Sequence, residues 1–324
     1  MEQKTRWAIC GLGKISRRFL KVARSLKNVE IVACVSSSKE RAIAYQKKYG
    51  IKYAFTYREL TDNATVVDAV YVCSHTSMHR ANAEMFLKAK IPVLCEKAFS
   101  SSRQNAAEMI ECAKANNTLL MEAMWTRFLP ATQYAEKIAK SGDLGKIKKL
   151  VGWFWAGIGH GPKSRVFWKE TSGGSILDLG VYLAHYSNML LGSPDNIKAE
   201  GKVIHDVDRY CNFTLTYKDG AVAQLGSSFR FLNIREGFTI FLEKGTVKIP
   251  RFFAGNRVIV KPDGGQKRVE RFEKRDGFAY EIMHFGDLIK QGKKQSPVMT
   301  FDTTLSIMSV LDELNRQLGV DFGQ

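Results

Sequence analysis

Between residue 6 and about residue 123, short apolar runs alternate with amphipathic stretches, which restricts this part of the chain to repeated βαβ units around a parallel sheet. The runs are Trp7 to Cys10, Val29 to Val35, a weaker Lys52 to Phe55, Ala69 to Cys73, Pro92 to Cys95 and Leu119 to Met121. Their length and β-branching mark them as strands buried on both faces. Helices are expected between them, over Ile15 to Leu26, Lys39 to Tyr49, Ser77 to Ala89 and Arg103 to Ala115. After about Trp125 the strands lengthen and end in turn signals, among them the Asp219-Gly220 hairpin pair, Glu243 to Thr246 and Lys261 to Gly265. The expected architecture is α/β: a doubly wound parallel sheet of Rossmann type over residues 1–123, then an α+β domain with a largely antiparallel open sheet over residues 124–324. One helix near Ile176 to Leu191 should cover that second sheet, and two more, near Phe278 to Lys290 and Thr303 to Leu318, should end the chain.

Composition narrows the function classes. No apolar stretch approaches the about 18 residues of a membrane-spanning helix, and the charged start Met1 to Arg6 carries no export signal. A cytoplasmic protein with no membrane partner is expected. The six cysteines, Cys10, Cys34, Cys73, Cys95, Cys112 and Cys211, form no C-x-x-C pair and no metal-ligand spacing, so neither disulfides nor a metal site is expected. The net charge of +17 favours anionic partners. Its basic stretches, such as Lys146 to Lys149 and Lys267 to Arg271, are interleaved with apolar or acidic residues and read as solvated strand faces. No basic helix with interleaved aromatics is present, so no nucleic-acid partner is expected.

Gly11-Leu12-Gly13-Lys14-Ile15-Ser16 follows the first strand and opens a helix, the setting a dinucleotide fingerprint requires. Gly11 and Gly13 let the backbone turn and approach a pyrophosphate, which the helix N-terminus at Lys14 and Ile15 would meet. Ser16 replaces the third glycine. Where an NAD protein usually carries an acid after its second strand, this chain has Ser36-Ser37-Ser38-Lys39-Glu40-Arg41. Hydroxyls with Lys39 and Arg41 suit a 2′-phosphate, so NADP is preferred and NAD stays possible. The alternative is that the serines only cap the next helix, leaving Arg41 an ordinary exposed residue. The polar loop Ser74 to His79 lies on the same sheet edge; Ser74, His75 and His79 either line the cofactor or serve helix capping and surface hydrogen bonding.

Glu96-Lys97 closes the run Ile91 to Cys95 where a buried strand meets the crevice, so the pair would face the reacting end of the cofactor. In the second half, Gly173-Gly174-Ser175 feeds a helix bearing Asp178 and Tyr182, four residues apart and so on one helical face. An acid, a tyrosine and Lys97 together would make a proton-transfer set for oxidising an alcohol or reducing a carbonyl, because an ammonium near a phenol stabilises the phenolate. On spacing alone the plainer reading is the stronger, with Tyr182 a core aromatic and Asp178 a helix-start residue.

The order Gly11-x-Gly13, Glu96-Lys97, Asp178-x-Gly180-x-Tyr182 resembles, over nearly the whole chain, the glucose-fructose oxidoreductase, inositol dehydrogenase and rhizopine catabolism family, written Gfo/Idh/MocA. Within it, Met121 to Pro130 is similar to the branch containing dimeric dihydrodiol dehydrogenase and NADP-dependent D-xylose dehydrogenase. The resemblance implies an N-terminal Rossmann domain for NAD(P) and a C-terminal substrate domain whose open sheet forms a dimer interface, hence a homodimer or higher homo-oligomer. It implies that Lys97 bonds the substrate hydroxyl beside the nicotinamide, that Asp178 and Tyr182 form the D-x-G-x-H/Y pair with Tyr182 as acid/base, and that Trp125 and Arg127 lie close to the substrate. Ala98 departs from the family's proline after the lysine, removing the restraint proline places on its neighbours. The expected activity is hydride transfer between nicotinamide and a hydroxyl-bearing carbon of a sugar, polyol or dihydrodiol. The rival expectation is an NAD(P)-binding regulator of the same fold without catalysis.

Overall fold

The first apolar run forms β1 (Thr5–Cys10), whose residues from Trp7 to Cys10 have no solvent contact apart from traces. Such a strand must lie in the middle of a sheet covered on both faces. It is flanked by β2 (Val29–Val35) and β4 (Ala69–Val72), with β3 (Tyr53–Phe55), β5 (Val93–Glu96) and β6 (Leu120–Ala123) outside them, in the order β3-β2-β1-β4-β5-β6. Every pairing is parallel. The order reverses at β1, and this is the doubly wound arrangement in which ligands bind at the reversal. The structure, a computed structural model, describes residues 4–157, 164–230 and 233–323.

The crossovers are α1 (Lys14–Ala23), α2 (Lys39–Tyr49), α3 (Tyr57–Asp62), α4 (His79–Lys88) and α5 (Arg103–Ala115). Their ends follow from local chemistry. Ser38 caps α2 by accepting the Arg41 N–H, and Thr56 and Glu59 form a reciprocal capping box on α3.

The chain divides into two units: Met1–Met124 with Phe278–Thr304, and Trp125–Gly277 with Leu305–Gln324. The segment Phe278–Thr304 thus departs from a boundary drawn once near residue 123. Aromatic packing explains its return, since Phe285 of α8 (Gly277–Lys290) lies 5.3 Å from Trp7. Trp7 also meets Phe19 at 5.7 Å, and Phe19 stacks on Tyr71 at 3.8 Å. These rings fill the volume over the middle of the parallel sheet, which the crossover helices alone leave open.

In the second unit eight strands are ordered β14-β13-β12-β11-β7-β10-β9-β8. They are β7 (Ile147–Trp155), β8 (Asn196–Ile204), β9 (Val207–Thr216), β10 (Val222–Ser228), β11 (Arg235–Leu242), β12 (Gly245–Ile249), β13 (Arg257–Pro262) and β14 (Arg268–Arg271). Six of the seven pairings are antiparallel, and β7 with β10 is the parallel one. One face of β7 buries Leu150, Gly152 and Phe154 beneath α7 (Val181–Leu191), and α6 (Pro130–Lys140) also covers the sheet. The other face carries Val151, Trp153 and Trp155, half-exposed, with Phe241 and Val269 exposed. A closing helix, α9, spans Phe301–Gln317. Helix α6 has no counterpart in the sequence reading of this half, which placed only strands before Ile176. Among the described residues no helix is long and apolar enough to cross a membrane.

Candidate active site

The crevice at the strand-order reversal is built by one close approach. Gly11 has φ +100°, and a Cβ there would lie 2.5 Å from the Ser74 nitrogen and 2.7 Å from the Cys73 carbonyl. Only glycine fits such a conformation and such a contact. The Cys73 thiol donates to the Gly11 carbonyl at 3.0 Å, tying the ends of β1 and β4 together. Helix α1 then begins at Gly13 with no side-chain cap and no acid in its first turn. Its first N–H groups are therefore available to an anion. A Cβ on Gly13 would meet nothing within 4 Å, so the space above it is open to a ligand backbone. Ser16 is fully buried and donates to the Gly13 carbonyl at 2.8 Å, which explains how it replaces the third glycine.

A cleft of about 680 Å³ opens on this edge. It brings together Gly11, Gly13, Ser36, Ser37, Arg41, Ser74 and His75 of the expected set. Arg41 donates to the Ser37 hydroxyl at 2.8 Å. Arg17 and Lys48 line it too and escaped the sequence reading. The signal for Lys48 was available: Arg41, Tyr45 and Lys48 are spaced as one face of α2. Lys39 turns away, its ammonium 2.7 Å from Glu59 and 2.8 Å from the Ala54 carbonyl. Ser38 serves α2 as its cap, while Lys14 and Ile15 form the first turn of α1 without lining the cleft. His79 is buried beneath the loop, with Nδ1 3.1 Å from the Ala98 carbonyl and Nε2 3.2 Å from that of Ser74, and so ties the loop to the segment after Lys97. No acidic side chain lines the cleft among the described residues. The glycine turn, the uncapped helix and the cationic wall fit a phosphorylated dinucleotide.

Glu96 ends β5 in a buried position, accepting from the Tyr71 hydroxyl and from the Lys97 N–H at 3.1 Å. The peptide bond from Lys97 to Ala98 is cis. Beside Glu96, at the end of β6, the sequence reading overlooked a fully buried Glu122, whose carboxylate accepts from the Thr304 hydroxyl at 2.9 Å. Burial pushes its carboxyl up to about 7, against the lowering effect of the Thr304 hydroxyl.

In the second unit the Gly173-Gly174-Ser175 turn is shaped by a residue that sequence reasoning missed. Asp208 on β9 is buried, accepts from the Ser175 hydroxyl and accepts the Ile176 N–H at 3.1 Å. Gly174 has φ +107°, and a Cβ there would collide with the Asp208 carboxylate. The next five residues, Ile176–Gly180, form a π-helical turn before α7 begins. Asp178 lies in this π turn and Tyr182 in the first turn of α7. Asp178 pairs with Arg165 at 3.1 Å. Tyr182 is 3 % exposed, stands edge-on to Phe253 at 5.1 Å, and accepts the Trp125 indole N–H at 3.1 Å. Arg127 does not point at open space: it makes a two-pronged ion pair with Glu136, at 2.6 and 3.3 Å. Among the described residues no cluster of three His, Cys, Asp or Glu could hold a metal.

A doubly wound sheet with such a cleft, joined to a mainly antiparallel sheet, defines the class of dinucleotide-binding oxidoreductases. Residues 5–124 match the model of the oxidoreductase family with an NAD-binding Rossmann fold, and residues 132–248 match the GFO/IDH/MocA C-terminal domain. The chain belongs to the Gfo/Idh/MocA family and is an NAD(P)-dependent oxidoreductase. It is 31% identical over 323 residues to scyllo-inositol 2-dehydrogenase (NADP(+)) IolU of Bacillus subtilis (strain 168), covering 97% of each chain. It is 29% identical over 333 residues to trans-1,2-dihydrobenzene-1,2-diol dehydrogenase of Sus scrofa, covering 98% of each. Among solved structures, aldose-aldose oxidoreductase from Caulobacter crescentus, complexed with glycerol, is similar with a TM-score of 0.87, 25% identity and 98% of each chain covered.

The raised Glu122 carboxyl sets the sign of a pH effect. Its folded form holds a proton more tightly than an unfolded glutamate does, so the stability it contributes is present below the ordinary carboxyl range and is lost as pH rises through about 7. In denaturant unfolding at pH 5 and pH 8, Glu122→Gln should shrink the drop in unfolding free energy by about 3 kcal/mol. An unchanged drop would place the titration elsewhere.

Proposed function

We propose that the chain is an NADP-preferring dehydrogenase or reductase acting on a hydroxyl-bearing carbon of a sugar, polyol or dihydrodiol. The observation that carries the cofactor preference is the cleft wall: Arg17, Arg41 and Lys48 with Ser36 and Ser37, and no acid to repel a 2′-phosphate. The NADP-dependent inositol dehydrogenase and the dihydrodiol dehydrogenase among its relatives support both the cofactor and the substrate class. When bound, NADP supplies the hydride acceptor or donor, and the protein supplies the proton chemistry.

Tyr182 takes the hydroxyl proton in oxidation and returns it in reduction. Lys97 hydrogen-bonds the same substrate oxygen and polarises it. Asp178, held by Arg165, orients the substrate. Trp125 and Arg127 belong to the substrate side, with Arg127 acting through the Glu136 pair that fixes the turn carrying both. We assign the working form to a homodimer formed through the open sheet face of Trp153, Trp155, Phe241 and Val269, because an apolar sheet face with four such residues is costly to leave in water. The free, mostly buried cysteines suit a reducing cytoplasm.

A panel of sugars, polyols and diols, followed at the nicotinamide absorbance with NADP and NAD in turn, tests the reading; NADP binding without turnover of any member would favour a regulator. Arg41→Ala should raise KM for NADP by about tenfold or more and leave KM for NAD nearly unchanged. Equal effects on the two would remove the 2′-phosphate assignment. Lys97→Met should keep NADPH binding, seen as fluorescence enhancement, and lose turnover by about a hundredfold or more; full turnover would end the role given to Lys97. Sedimentation of the 36.5 kDa chain as a dimer, and of Trp153→Glu as a monomer, checks the sheet-face assignment.

A further inference from the structure

We propose that Trp125 is a positioning residue for Tyr182, its indole N–H fixing the phenol oxygen as an acceptor, and that the absence of a side chain at Gly277 is what lets the indole reach it. The proposal rests on the acid/base role given to Tyr182 above.

An indole nitrogen is a donor only, so in the 3.1 Å contact the phenol oxygen must accept. One of its lone pairs is thereby filled, and the phenol's own hydrogen is directed away from Trp125. Both residues are buried, at 2 % and 3 % exposure, so water does not compete freely for the bond. A fixed donor favours the charged phenolate over the neutral phenol and holds the oxygen in one place.

The indole is itself constrained from two sides. Phe253 meets it edge-on at 4.7 Å and meets Tyr182 edge-on at 5.1 Å, so one ring seats both partners. On the other side lies Gly277, the first residue of α8, where an added Cβ would fall among the six-membered-ring atoms of the indole. That contact, and not a left-handed backbone, demands glycine. Any larger residue there must push the indole off its seat and lengthen the bond to Tyr182.

Among the charged groups of this unit, Asp178 pairs with Arg165 at the helix start, Glu236 on β11 accepts at 2.6 Å the N–H of Phe253, whose ring meets Tyr182, and Arg127 pairs with Glu136 from the turn that carries Trp125; the Lys97 ammonium assigned above to the substrate oxygen is a further cation. His185, one turn further along α7, is fully buried and held neutral, its pKa pushed down to about 3 by burial. On the packed strands β7 contributes Phe154, and β10 contributes no ionisable side chain beside α7. All of these remain in Trp125→Phe, which removes the N–H together with part of the ring, and in Gly277→Ala, which keeps the indole and displaces it, so a shift common to both variants reports the bond.

Two readouts test the proposal. In polyol oxidation with NADP, Trp125→Phe should lower kcat about tenfold or more with KM for the polyol little changed, and should move the acidic limb of the kcat profile up by about one to two pH units. Gly277→Ala should give the same signature, and the double variant should be no worse than the more impaired single one, because both remove one interaction. Independently of any substrate, the ultraviolet titration of Tyr182, taken as the difference between each protein and its Tyr182→Phe counterpart, should shift upward by the same amount in both variants. A parent enzyme that turns over nothing overturns the dehydrogenase reading and leaves the titration to decide this proposal alone. A Trp125→Phe enzyme whose KM rises while its pH limb and phenol titration superimpose on the parent's overturns it, making Trp125 a substrate contact. Should Trp125→Phe fail to fold, Gly277→Ala carries the same two readouts, with a shifted limb and titration supporting the proposal and superimposed ones overturning it.

Discussion

The contact between Gly11 and the Cys73–Ser74 backbone is the constraint on which the first unit's chemistry depends. It lies where the strand order turns back on itself, and there two neighbouring strands send their connections in opposite directions. A side chain at position 11 would force β1 and β4 apart and close the crevice at its root. With no side chain there, α1 starts directly over the sheet edge with bare N–H groups, and the cationic face of α2 can stand across from it. Cleft shape and charge both follow from one backbone approach.

The second unit has a comparable node in Asp208. Its buried carboxylate accepts from both Ser175 and the Ile176 N–H, and burial pushes its pKa up to about 6. The carboxylate takes the place of a side-chain cap for the helical turn that carries Asp178. It sits against Gly174, where it leaves no room for a side chain, and the π turn at Ile176–Gly180 follows directly. The glycines that look in the sequence like a simple loop signal are thus shaped by a residue on a strand about thirty positions later.

This difference in range decides how much could be read from the sequence. The parallel sheet was legible because burial on both faces leaves continuous apolar runs such as Ile31 to Val35, and α2 and α5 were legible because Ser38 and Ser102 cap them locally. The glycine turn was legible because it depends on residues within a few positions, and of the Ser36 to Arg41 segment Ser36, Ser37 and Arg41 reach the cleft while Ser38 caps α2 and Lys39 pairs with Glu59. Arg17 was not, since nothing local distinguishes it from a solvated helix residue. Asp208, Glu122 and the return of Phe278–Thr304 depend on partners far along the chain and leave no periodicity behind. For Arg127 a motif marks the neighbourhood, and the pairing of its guanidinium with Glu136 nine residues on is not visible in that motif.

The charge distribution completes the physical picture. The chain carries +17, yet the side chains buried among the described residues include the acids Glu96, Glu122, Glu281 and Asp208 and no lysine or arginine. Burying a cation would cost its hydration, whereas a carboxyl can take up a proton and become neutral, as Glu122 and Asp208 tend to do. The excess positive charge is therefore a surface property, and Arg17, Arg41 and Lys48 bring the same sign to the cleft. A field of one sign over both surface and cleft draws a polyanion toward the site before any contact forms.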